Sequence, residues 1–225
     1  MSSPEVRGTL DVGEKRVSVA WVQPGEPAPV LVVAHGAGAG MDHPFLAGFC
    51  RALVTHGIGT MRFNFQYVEA GRRAPDSEVV LRHTWLAAFE AATARAEGRA
   101  VLAGGKSLGG RIASMCIADG MPAAGLVFLG YPLHPPGRPE RIRDEHLYRI
   151  RVPMLFLQGT ADPFARPDLL EPVLAKLGDL ATHVRVEGGD HSFNVKGSRQ
   201  DAREVGASLA GLAAPFILRV AGRAR

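Results

Sequence analysis

The chain has 225 residues, 46% of them hydrophobic and 21% charged, with a formal net charge of +4. That balance excludes a wholly disordered chain and suits one α/β domain spanning residues 1–225, with a core large enough to dispense with metals and disulfide staples. Arginine is scattered rather than gathered into a tract interleaved with aromatics, which argues against nucleic acid as a partner.

Residues 6–12 and 15–22 flank Gly13 with no helix between them, so they are expected to pair as an antiparallel hairpin at a sheet edge. The first twelve residues lack the charged-then-apolar layout of an export signal, and no continuous apolar run approaches the roughly 20 residues of a membrane span. No membrane association and a cytoplasmic location are therefore expected. Residues 30–34 form an unbroken apolar run, as in a strand buried on both faces, and lead into the glycine-rich turn 35–40. A helix follows, with Pro44 in its first turn, His43 helping it begin, Leu46, Phe49, Cys50 and Leu53 as its apolar stripe, and Gly57 as its stop.

The next strand is predicted over 58–65 and a polar loop over 66–77. Ser77 then caps a helix that carries Leu81, Trp85, Ala88 and Ala92 and ends by Gly98. A short strand at 101–104 runs abruptly into a helix reaching Gly120. Further strands are expected at 124–129, 152–157 and 183–187, and helices near 166–177 and 198–218, the last kinked or ended early by Pro215. Strands alternating with helices indicate a mostly parallel sheet covered on both faces. Cys50 and Cys116 fall among apolar helical residues and read as buried thiols, which fits a reducing compartment.

The junction Gly105-Lys106-Ser107-Leu108-Gly109 reads G-x-S-x-G between strand and helix. Serine on such a turn is presented above the sheet, and glycine is needed on either side because neighbouring backbones pack too closely for side chains. A serine hydroxyl is a poor nucleophile at neutral pH, so the chemistry requires a histidine base and a carboxylate to fix its tautomer. Asp162, after the strand at 152–157, and His191, after the last strand, fall in that order on loops at the strands' carboxyl ends. Asp190 adjoins His191 and is poorly placed to fold back onto its neighbour's ring.

The backbone N–H of Leu108, at a helix start, is one oxyanion donor, and the glycine turn supplies the second, from Ala37 or in reserve Gly38. G-K-S here is not the end of a phosphate-binding loop, because Ala100 stands where that loop needs glycine. No ligand cluster of recognised spacing points to a metal, and no cofactor is implied. His134 and His183 read as surface or packing residues. Lys106 and Arg111 lie beside Ser107, but solvated arginines are common on such helices and no anionic substrate is inferred from them.

With these residues in place, the chain resembles the α/β-hydrolase superfamily, and within it the short dienelactone-hydrolase-like proteins. The likeness rests on stretches 35–40, 104–111, 130–137 and 188–193, and looks like a branch that includes a testis-expressed eukaryotic protein and a chromatin-complex subunit. The resemblance implies a three-layer α/β/α fold with Ser107 as nucleophile, Asp162 as acid and His191 as base, and with the amides of Leu108 and Ala37 as the oxyanion hole. Dienelactone hydrolase itself carries cysteine where this chain has Ser107, so dienelactone is a poor substrate candidate.

Only about 20 residues separate Tyr131 from Val152, too few for a cap domain. The site is expected to be open and edged by Tyr67, Tyr131, Leu133, Phe164 and Phe193. Hydrolysis of a small carboxylic ester or thioester is the expected reaction. Acyl transfer or perhydrolysis on the same residues, or a non-catalytic interaction module, are the alternatives; oligomeric state is not read from the sequence.

Overall fold

The computed structural model describes residues 4–198 and 200–223. Eight strands form one sheet: β1 (Glu5–Val12), β2 (Lys15–Val22), β3 (Val30–Ala34), β4 (Gly59–Phe63), β5 (Val101–Lys106), β6 (Leu126–Leu129), β7 (Met154–Gly159) and β8 (Ala181–Val186). Their spatial order is β1-β2-β4-β3-β5-β6-β7-β8. The β1–β2 and β2–β4 pairs are antiparallel and the others parallel, so the expected hairpin closes one edge of a parallel sheet.

Alternation along β3 sorts the core. Val30, Val32 and Ala34 face the layer made by helices α3 (Glu78–Ala96), α4 (Leu108–Ala118) and α5 (Pro167–Leu177). Leu31 and Val33 face α1 (Pro44–Thr55) and α6 (Ala202–Arg223). All five β3 side chains are fully buried, as two covered faces require. Cys50 on α1 and Cys116 on α4 are both buried and free. Burial pushes the Cys50 thiol up to about 12 and that of Cys116 to about 11.

Several expected boundaries move. Strand β5 continues through Gly105 and Lys106, which pair with Ala34 and Leu129 on its two neighbours. The polar loop after β4 opens with a one-turn helix, α2 (Gln66–Glu69). Ser77 and His43 are N-caps by position, but neither side chain makes a capping bond.

The last helix also departs from its reading. Pro215 lies inside α6, which runs on to Arg223. Its ring is on the exposed side, where water can satisfy the carbonyl it frees, while Ala213, Ala214, Phe216 and Ile217 hold the helix in the core from both flanks. Leu212 on this helix is 44% exposed. Residue 199, within that reading, lies outside the described residues. With a mean hydropathy of 1.6, α6 is long and apolar enough to cross a bilayer by length and composition alone, which a search for unbroken apolar runs overlooks. Its apolar face packs on α1.

Between β6 and β7 the crossover 130–153 holds a single 3-10 turn, Glu145–Arg149, and no cap domain.

Candidate active site

Ser107 sits at the β5–α4 junction with φ 50° and ψ −114°, a left-handed conformation that costs a non-glycine residue about 1–3 kcal/mol. Its neighbours explain how the turn closes. A Cβ on Gly105 would lie 2.7 Å from the Ala34 carbonyl oxygen, and one on Gly109 would lie 2.4 Å from the same atom. Side chains at either position would collide with backbone, so glycine is required on both sides. The indole N–H of buried Trp85 donates to the Gly109 carbonyl at 3.0 Å and braces the turn from α3.

Ser107, His191 and Asp162 meet. The Ser107 hydroxyl oxygen is 2.8 Å from His191 Nε2, and His191 Nδ1 is 2.7 Å from Asp162 Oδ2. A carboxylate can only accept, so Nδ1 carries the proton and Nε2 turns its lone pair toward the hydroxyl. Asp162 is 1% exposed and otherwise fully engaged. Gln158 Nε2 donates to its Oδ2 at 2.5 Å, and the Phe164 N–H donates to Oδ1 at 2.8 Å. Gln158 Oε1 in turn accepts the Tyr131 N–H at 2.8 Å. Gln158 escapes a motif reading because nothing distinguishes it from any polar residue near a strand end.

The acid and base loops touch through backbone: a Cβ on Gly159 would fall 2.1 Å from the Gly189 carbonyl oxygen, and the Ala161 N–H donates to that oxygen at 2.9 Å. Asp190 belongs to its own loop, where Oδ1 accepts the N–H groups of Ser192 and Asn194 at 2.7 and 2.9 Å.

The glycine turn after β3 abuts the nucleophile, since a Cβ on Gly36 would be 3.7 Å from Ser107 Cβ. His35 fixes this turn. Its Nδ1 donates to the Gly36 carbonyl at 2.8 Å, and its Nε2 accepts the Phe65 N–H at 3.2 Å. Burial holds its imidazole down at about 4, so the ring is neutral at pH 7.

Ser107 and His191 open onto a cavity of about 480 Å³ that Ala37, Leu108, Phe45 and Phe164 also line. Leu108 begins α4, so its N–H has no carbonyl one turn back. Gly38 is not part of the lining. Of the five side chains expected to edge the site, only Phe164 does so, with its ring 4.5 Å from that of His191. Tyr67, Tyr131 and Leu133 are fully buried and Phe193 is 4% exposed. Each is a correction with a physical cause. Tyr67 packs edge-on to His35, and the Tyr131 hydroxyl donates inward to the Arg143 carbonyl at 2.6 Å. Leu133 joins the core beside α4, and Phe193 stacks on Phe45 at 5.8 Å from a left-handed turn at φ 66°. His134, read as surface or packing, is 4% exposed and lines the cavity, whereas His183 lies half-buried on β8. Among the described residues no group of three or more His, Cys, Asp or Glu side chains is placed to hold a metal ion.

A family described as "Alpha/beta hydrolase domain" matches residues 27–217 of the chain. The chain belongs to that alpha/beta hydrolase family. Solved structures agree on the fold. A dienelactone hydrolase from Anabaena variabilis is 20% identical, with a TM-score of 0.77 over 97% of this chain and 99% of that one. A serine hydrolase without a lid from Xanthomonas campestris is 22% identical, with a TM-score of 0.74 over 96% and 94% of the two chains. The esterase domain of a Rhodothermus marinus protein is 17% identical, with a TM-score of 0.69 over 95% and 99%.

Proposed function

We propose that this alpha/beta hydrolase cleaves a small carboxylic ester or thioester through an acyl-enzyme on Ser107. One observation carries the reading: the unbroken line of hydrogen bonds from the Ser107 hydroxyl through His191 to buried Asp162, at 2.8 and 2.7 Å, facing an open cavity. His191 takes the hydroxyl proton as Ser107 attacks the acyl carbon, and Asp162 stabilises the imidazolium so formed. The N–H groups of Leu108 and Ala37 receive the oxyanion, and His191 returns the proton to the departing alcohol or thiol. Water then attacks the acyl-serine by the same steps, releasing the acid and restoring the hydroxyl. The esterase and lidless serine hydrolase among the structural neighbours support this choice of reaction. Stretches 35–40, 104–111, 130–137 and 188–193 support placing the chain in the branch shared with the testis-expressed and chromatin-complex proteins.

Labelling with a fluorophosphonate, alongside turnover of short-chain activated esters and their sulfur counterparts, tests the proposal. The native protein is expected to label at Ser107 and turn over at least one ester class. Ser107→Ala is expected to lose labelling and about 10⁴-fold or more in kcat while keeping its thermal midpoint, since the hydroxyl is no part of the core. Unlabelled native protein, or a variant as active as its parent, ends the proposal.

A further inference from the structure

The wall of the cavity carries more positive charge than the proposed reaction needs. Lys106, Arg111 and Arg143 all line it, and neither an aspartate nor a glutamate does. Among the described residues the Lys106 ammonium makes no hydrogen bond or ion pair, and its nearest described interaction is with the Phe193 ring at 5.7 Å. Burial lowers Lys106 to about 8 against the pull of Asp162 and Asp190.

Arg143 is held through its main chain. Its N–H donates to the Leu133 carbonyl at 2.8 Å and its carbonyl accepts the Tyr131 hydroxyl, while its guanidinium has no partner among the described residues. Arg111 has one loose carboxylate neighbour, half-exposed Glu78 at 3.9 Å, and its Nη1 donates to Met115 Sδ at 3.3 Å. A second and independent observation lies on the same wall. His134 is 4% exposed, its Nδ1 is taken by the Pro135 carbonyl at 2.9 Å, and its buried Nε2 has no partner among the described residues. Buried polar atoms are nearly always paired, so an unpaired one on a residue of the cavity wall is an exception that a bound polar group would remove.

We infer that Arg111, Arg143 and Lys106 form an anion subsite, and that the natural substrate is an ester or thioester bearing a carboxylate or phosphate. The inference rests on the hydrolase reading above. Spacing sets where the anion lies. Arg111 follows Ser107 by four residues, on the first turn of α4, and its N–H donates to the Ser107 carbonyl at 3.1 Å. Standing about one helical turn from the nucleophile, Arg111 suits an anion a few carbons from the scissile carbonyl. Guanidinium pairs with either oxyanion through charge-assisted hydrogen bonds.

The test compares matched esters at low salt. 4-Nitrophenyl hydrogen glutarate against its methyl-capped diester places the charge on the acyl side, and 4-carboxyphenyl acetate against its methyl ester places it on the leaving group. In at least one pair kcat/KM is expected to favour the anionic member by about tenfold, the worth of one good charged hydrogen bond, and the advantage should shrink with added salt. Arg143→Gln and Arg111→Gln are expected each to cut that ratio severalfold, and Arg143→Lys to restore part of it. Inhibition by glutarate against inorganic phosphate tells carboxylate from phosphate. Ratios near one in both pairs, with Ser107 still labelled by a fluorophosphonate, overturn the subsite alone; an unlabelled and inactive protein overturns both readings. Should Arg143→Gln fail to fold, Arg111→Gln and the salt dependence of the native enzyme decide the matter.

Discussion

The β5–α4 junction and the crossover 130–153 border the same cavity, yet they are held in opposite ways. At the junction, backbone meets backbone: Gly105 and Gly109 have no room for a methyl group, and Ser107 between them is held in a left-handed turn. In the crossover, regular structure amounts to one short turn, and position comes from scattered single bonds, such as the Arg143 N–H on the Leu133 carbonyl and the Tyr131 hydroxyl on the Arg143 carbonyl. A site fixed by absent side chains tolerates no substitution, whereas one fixed by a few polar ties loses stability and alignment in increments.

Substitutions can test that contrast, beginning with the harshest. Gly109→Ala drives a methyl group onto the Ala34 carbonyl, and urea unfolding is expected to show a loss of about 3 kcal/mol or more. Acid should act on the turn beside the junction by a comparable amount. His35 is held near 4 when folded against an ordinary 6.5, so its contribution is complete above pH 6.5. As pH falls the unfolded chain binds a proton that the folded one refuses, and stability drops until about pH 4, by roughly 3 kcal/mol at most. His146 is lowered in the same direction by burial. Urea midpoints at pH 7 and pH 4.5, with His35→Gln flattening the difference, check this.

Gln158→Leu severs the link between crossover and acid, leaving the Tyr131 N–H unpaired and Asp162 one donor short, with the Phe164 N–H and His191 remaining. An expected loss of about 2 kcal/mol should accompany a fall of roughly tenfold in kcat, read from unfolding and initial rates on one preparation. Tyr131→Phe removes only the hydroxyl bond and is expected to cost about 1 kcal/mol. Equal sensitivity at Gly109 and Tyr131 would erase the contrast.

The same division explains what could be read in advance. A mostly parallel sheet with an edge hairpin follows from apolar strands alternating with helical stripes, and the Ser107, Asp162 and His191 loops follow from their places at strand ends. Glycines mark each spot where two backbones touch. Side-chain direction in irregular segments has no such signature. Tyr131 and Leu133 follow a strand in a loop, as edge residues do, but the crossover folds back and buries them. Arg143 gives the opposite case, an unremarkable loop arginine that lines the cavity. Gln158 gains its role in part from Tyr131, distant in sequence, and His134 from the lack of a partner.

The two thiols carry a practical consequence. Enclosed in helices on opposite faces of the sheet and hard to ionise, Cys50 and Cys116 are shielded from alkylating reagents for as long as the layers stay together. Their rate of alkylation therefore reports how often each layer opens. Because the two cysteines lie in different layers, it also reveals whether the sheet sheds its helices together or one side at a time.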